Sequence, residues 1–232
     1  MNNSVVTQKR NWLFRRLNWI SLILLAAMLL FHQWLDLLSV PAIICAGAAM
    51  IRIACPGYFA VLGEKKYQNQ GRIPLSAVPW LAFSPLGFAI WQGINRTQYF
   101  EIVKPLLITL IAGLAMGILF IVFAKTLRRN AESVFLALVL SVFLCAGIVI
   151  QGNHLLAREP FIFHQVPIVR MYSWGVGKST EYNCILQFSD GRELTVDVGR
   201  IDFEQFKVGD ILIIPVRTGA FGIEYGMYRY EG

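Results

Sequence analysis

The sequence predicts a membrane α-helical protein of four or five transmembrane helices, followed by a small C-terminal all-β domain, an OB-like barrel or curled sheet. Three observations carry this expectation. Of the 232 residues, 56% are hydrophobic and 15% charged, too apolar for an ordinary soluble domain. Up to about Gly152 the apolar residues gather into membrane-length runs separated by short basic loops. From residue 155 to 232 they alternate with polar residues instead, as strands with one wet face do.

Charge divides at the same place. Residues 1–151 hold 13 Lys and Arg against 4 acids, a balance of +9, while residues 152–232 hold 8 against 10, a balance of −2. A nucleic-acid module would concentrate its basic excess in the folded, exposed domain. Here the excess lies in loops between apolar runs, where the positive-inside rule places it. Nucleic acid is therefore not an expected partner, and the lipid bilayer is.

Residues 1–16 form a basic N-terminus, expected in the cytoplasm. The apolar run after Arg15 and Arg16 is too long for the core of a signal peptide and lacks a small-x-small cleavage site, so it reads as a first anchor. That first span is placed at 17–38, with Trp19 and Trp34 near its ends as interfacial aromatics and 39–41 (Ser-Val-Pro) as a turn. The second, 42–62, is interrupted by Arg52 and by Pro56-Gly57. The third, 73–94, is punctuated by Pro74, Pro79 and Pro85, and reads either as a kinked crossing or as a re-entrant hairpin packed against protein. The fourth, 105–124, carries Gly113 and Gly117 in the small-xxx-small spacing that lets helices approach closely. The fifth, 134–150, has Ser141, Cys145, Ala146 and Gly147 as a second small-residue face.

With the third segment crossing, the loops on the N-terminal side (1–16, 64–72 and 125–130) hold ten Lys and Arg, and those opposite (39–41 and 95–104) hold two. That bias places the N-terminus in the cytoplasm and the β domain in the periplasm of an inner-membrane protein. A re-entrant third segment would move the β domain to the cytoplasm.

In the tail, 161–174 is β-rich, and Pro167 argues for an edge or bulged strand. Tyr182, Cys184, Leu186 and Phe188 alternate with mostly polar residues. Ser189-Asp190-Gly191-Arg192 is a hairpin turn, and Leu194, Val196 and Val198 continue the alternation on the return strand. Residues 201–206 suggest a helical turn capped by Asp202, with Phe203 and Phe206 inward. The run 211–216 is apolar on both faces, as a central strand is, and a Gly-rich turn leads to a last strand at 223–230. Five strands in so short a stretch suit a small barrel.

Few motifs carry chemistry. Residues 175–180 (GVGKST) imitate the end of a phosphate-binding P-loop. Tyr172 stands where its first glycine is needed, and a strand rather than a helix is expected to follow, so no nucleotide is expected. The four cysteines, Cys45, Cys55, Cys145 and Cys184, show no metal-ligand or redox spacing, and no cofactor-binding pattern is present.

Three residues in or near the apolar runs stand out. Arg52 is a charge inside a span, which marks either function or a side chain reaching the headgroups. His32 and Asp36, four apart on the first span, suggest half a relay or a structural pair near the outer interface. Trp174, Tyr225, Tyr228 and Tyr230 form a candidate interaction surface, aromatics being enriched at protein contacts. The leading functional expectation is a non-enzymatic binding or accessory protein that meets an envelope or membrane protein through its β domain. The alternatives are a transport or channel subunit using Arg52 and the Pro-broken third segment, and a membrane-embedded enzyme using His32, Asp36 and Arg52, with His154 as a further candidate.

Overall fold

The computed structural model describes residues 3–31, 34–54, 80–96, 98–124, 131–175 and 180–228. In chain order the elements are α1 (Asn3–Leu30), α2 (Leu35–Ala54), α3 (Trp80–Arg96), β1 (Gln98–Tyr99), α4 (Val103–Phe123), α5 (Ala131–Leu155), β2 (Ile162–Trp174), β3 (Glu181–Gln187), β4 (Glu193–Asp197), α6 (Arg200–Gln205), β5 (Ile211–Thr218) and β6 (Glu224–Gly226). The chain divides into two compact units. One holds residues 1–91 and 106–151, the other 92–105 and 152–232.

In the helical unit, α4 and α5 are the two described helices long and apolar enough to cross a membrane. The apolar stretches of α1 and α2 are shorter, Arg16–Leu30 and Asp36–Ile51, roughly 22 and 24 Å at 1.5 Å per residue. α1 ends at Leu30 and α2 begins at Leu35, so residues 39–41, expected as a turn between the first two spans, lie inside α2. Pro41 is accommodated in the second turn of α2, whose first turn carries Asp36 at the favourable positive end of the helix dipole. The Ser39 hydroxyl donates to the Asp36 carbonyl at 2.6 Å, satisfying a polar group of a fully buried side chain. Of the third expected segment, residues 73–79 lie outside the described residues, and α3 begins at Trp80.

The core of this unit joins Ala46, Ala49, Met50 and Ile53 of α2, Ala82, Phe83 and Leu86 of α3, and Leu136, Ala137, Leu140 and Leu144 of α5. Glycines set the closest approaches. A Cβ at Gly113 would stand 2.5 Å from the Val142 Cα, and one at Gly117 would stand 2.8 Å from Leu138 Cδ2. The Gly113/Gly117 stripe of α4 therefore lies directly against α5, as small-residue helix contacts do. The opposite face of α4 carries bare apolar side chains, among them Ile111, Ile118 and Val122.

The second unit is a nearly closed, barrel-like sheet of six antiparallel strands in the order β1-β6-β5-β2-β3-β4, with β1 beside β4 at the seam. Alternation builds it as the sequence suggests. Cys184 faces Val196 and Leu186 faces Leu194 across β3 and β4, and all four are buried. The hairpin between those strands has Gly191 at φ +85°, a value that L side chains rarely adopt.

β2 is central rather than an edge. Its first half pairs with β5 up to Pro167, its second half pairs with β3 from Ile168, and a bulge lies between Ile168 and Arg170. Pro167 thus sits where the strand passes from one partner to the other, where a missing N–H costs least. α6 is capped by the backbone of Gly199, not by the side chain of Asp202, which lies in its first turn. Phe203 and Phe206 pack on the barrel core. The sixth strand is the surprise: β1 comes from the α3–α4 connection, ending 56 residues (155 − 99) before the expected start of the β domain.

Candidate functional site

The densest set of polar contacts in the β unit surrounds the turn between β5 and β6. Asn153, in the last turn of α5, is 1% exposed and enclosed by that turn. Its side-chain N–H donates to the Ile223 carbonyl at 3.1 Å, and its side-chain oxygen accepts the Phe221 N–H at 3.0 Å. Its backbone carbonyl accepts the Ala220 N–H at 3.1 Å. Any Cβ at Gly219 would collide with the Asn153 amide, so the turn can close on Asn153 only with glycine there. Lys104, at the start of α4, donates to the Gly222 carbonyl from the other side.

Next to this turn lies a polar cleft of about 210 Å³, lined by Phe100, Glu101, Lys104, Arg192, Thr218 and Glu224 among others. Arg192 donates to Asp190 at 2.7 Å and also to Glu224, and its guanidinium lies 4.7 Å from the centroid of the Phe100 ring. The Arg192 backbone N–H, and then its guanidinium, hold the Asp190 carboxyl below its ordinary value. Hydrogen bonds to Glu224 and then Asp190 raise the Arg192 pKa in turn. Both cations of the cleft are thereby engaged by the protein's own acceptors, and the volume is below the several hundred Å³ of a typical small-molecule site. The arrangement is a latch: it ties the α3–α4 connection, the end of α5 and the β3–β4 hairpin to one turn. Among the described residues, no three His, Cys, Asp or Glu side chains gather as a metal site. Burial pushes the Cys184 thiol up, so it is a core side chain rather than a reactive thiolate.

The residues singled out from sequence are dispersed. His32 lies outside the described residues. Asp36 sits in the first turn of α2. Arg52 is in the last turn of α2, its side chain outside the described residues. Of the four aromatics, Trp174 is 74% exposed at the end of β2, while Tyr225 is fully buried. Tyr225 packs against the rings of Tyr99, His154 and Phe161, and so is covered rather than part of a surface. Tyr228 is partly buried on the barrel core, 3.5 Å from an Asp202 carboxylate oxygen. Tyr230 lies outside the described residues. The imitation P-loop residues 176–179 also lie outside, and the strand β3 follows them where a nucleotide site needs a helix.

Sequence reasoning missed Lys104, Asn153 and Arg192. The one available signal was Asn153, a polar residue with no surface role to fill at the very end of an apolar run. Comparison of the chain with protein-family models, with curated proteins and with solved structures returns no match.

Proposed function

We propose that this chain is a multi-pass inner-membrane protein without catalytic activity, which holds its β domain on the periplasmic face as a binding or accessory module. The observation that carries this reading is the two-sided character of α4. One stripe, Gly113 and Gly117, is pressed against α5, and the far side of an apolar helix is left bare, with Ile111 67% exposed. In water such a strip would far exceed the apolar patch of a soluble monomer, whereas in lipid it is the ordinary outer face of a span.

Chain connectivity supports the topology. α4 begins in the β unit and α5 ends in it, so a membrane hairpin of these two leaves loop 125–130 on the opposite side. That loop holds Lys125, Arg128 and Arg129 within six residues, which favours the cytoplasm for it and the periplasm for the β domain. This argument does not depend on whether residues 73–94 cross. The binding role is supported by the polar cleft, whose Lys104 and Arg192 are engaged by the protein's own acceptors, which leaves the outer surface of the barrel to meet a partner.

Fusion of alkaline phosphatase or of green fluorescent protein after Gly232 tests the reading. Active phosphatase and a dark fluorescent fusion are expected, with the chain retained in membranes after carbonate extraction. A bright fluorescent fusion would move the domain to the cytoplasm, and release by carbonate would overturn the membrane assignment itself.

A further inference from the structure

We infer that the outward face of β2 and β5 is a self-association surface, which seats against the same face of a second copy of this chain. The register sets the face. Phe163 lies opposite Pro215, Gln165 opposite Ile213 and Pro167 opposite Ile211, and directly opposed residues of an antiparallel pair point to the same side. The alternate residues, Val166, Ile214 and Val216, are buried in the barrel. The outward set is therefore apolar except for one uncharged amide. Phe163, Ile211 and Ile213 are 69%, 63% and 62% exposed, against the rule that strands with one wet face are polar on it.

The occupant follows from charge and area. An isologous contact must be complementary to itself, because each residue meets its own face across the two-fold axis. The exposed centre of the face, Phe163, Gln165, Ile211 and Ile213, has no charged side chain and meets that condition without any like-charge clash. That uncharged centre disfavours an anionic lipid surface, which selects faces bearing Lys, Arg, Trp or Tyr. Charges stand at the ends, with Lys207 and Asp210 before β5, Arg170 beyond the bulge, and Arg217 at the end of β5, where it is drawn onto the Phe161 ring and the Glu159 carbonyl, the arrangement of an apolar centre and a polar rim.

The exposed residues offer roughly 500–600 Å² a side, so pairing buries about 1,000–1,200 Å², the lower bound for a specific interface. Confinement to a membrane supplies the remainder by raising the effective concentration of correctly oriented copies; this step alone rests on the membrane reading above. Two such sheets would stack about 10 Å apart with strands within about 30°.

The test uses the full chain in phosphatidylethanolamine/phosphatidylglycerol vesicles, oxidised with copper phenanthroline. Ile213→Cys should give a disulfide-linked species of twice the 26.2 kDa chain mass, and neither the unsubstituted chain nor Thr195→Cys, exposed on β4, should do so. Adding Phe163→Asp to Ile213→Cys should lower the cross-linked fraction about tenfold or more, since it buries an unpaired charge at the centre of the contact. A chain that stays monomeric with Ile213→Cys, or a dimer indifferent to Phe163→Asp, overturns the inference. Shielding of Ile213→Cys from a water-soluble maleimide without any dimer assigns the face to lipid and overturns it as well. Carbonate extraction of the same vesicles reads anchoring separately: release would sink the membrane reading while the cross-link still reports on the face.

Discussion

Each of the two units is packed within itself, and by opposite means. In the helical unit the decisive contact between α4 and α5 depends on side chains that are missing: Gly113 and Gly117 let the backbones approach so closely that any Cβ would strike Val142 or Leu138. In the β unit a decisive contact depends on a large buried side chain, Tyr225, which lies opposite Arg217 on the side of the sheet away from Ile214 and Val216 and is covered there by Tyr99, His154 and Phe161. The difference follows from the elements themselves. Small residues let two helix backbones approach closely, whereas a sheet packs through the side chains that stand out from its faces.

That contrast can be broken from either side. Tyr225→Ala should have the largest effect, about 3–5 kcal/mol of β-unit stability, because it opens a cavity at the centre of several rings. It is read from the thermal transition of the full chain in detergent; an unchanged midpoint would return Tyr225 to the surface. Gly113→Leu should act by overfilling, at about 1–3 kcal/mol and toward the upper end, since the neighbour in its way is backbone and cannot change rotamer. Its signature is a weakened α4–α5 pair, seen as earlier loss of protection in amide exchange of those helices while the β unit is unaffected. Equal loosening of both units would erase the distinction between them.

Smaller effects sharpen the same comparison. Asn153→Ala should cost about 1–3 kcal/mol, because the Phe221 N–H and the Ile223 carbonyl lose their buried partner. Amide exchange at Phe221 should accelerate first, and protection equal to that of the parent chain would mean that the turn closes without the latch. The Asp190 contribution is smaller and depends on pH. Its folded pKa is depressed by Arg192, so its stabilising effect is present above the ordinary carboxylate value and is lost as pH falls below about 4. Asp190→Asn should flatten the acid end of the melting-temperature profile, and a profile identical to that of the parent chain would exclude the hairpin as its source. Trp174→Ala should change stability least, within about 0.5 kcal/mol, as expected of an exposed strand end.

How far each unit was legible in the sequence reflects the same physics. A half-buried strand writes its two faces as a period of two, so Cys184, Leu186, Leu194 and Val196 could be assigned inward from the sequence. Tyr225 was not legible by that rule, because it lies on the side of β6 away from the barrel core and is buried there only by rings brought from Tyr99, His154 and Phe161. Helices that are apolar on every side write no such face. Nothing in the pattern therefore showed that residues 39–41 lie inside α2, and only the glycine spacing pointed to the α5-facing stripe of α4. β1 had no local signal at all: two residues in a connection become a strand only because β6 is there to receive them. The latch was hidden for the same reason, since Lys104 and Asn153 are separated by the whole α4–α5 hairpin and meet only in the folded unit.

Pairing of Gln98 with Gly226 also sets an order of events at the ribosome. The first strand of the barrel leaves the exit tunnel 128 residues (226 − 98) before its partner, which at 5–20 residues per second is a wait on the order of ten seconds. Both apolar helices are synthesised in that interval. The barrel therefore closes only after the hairpin is made, and a nascent chain that stops short of Glu224 leaves Gln98 and Tyr99 with no strand to join.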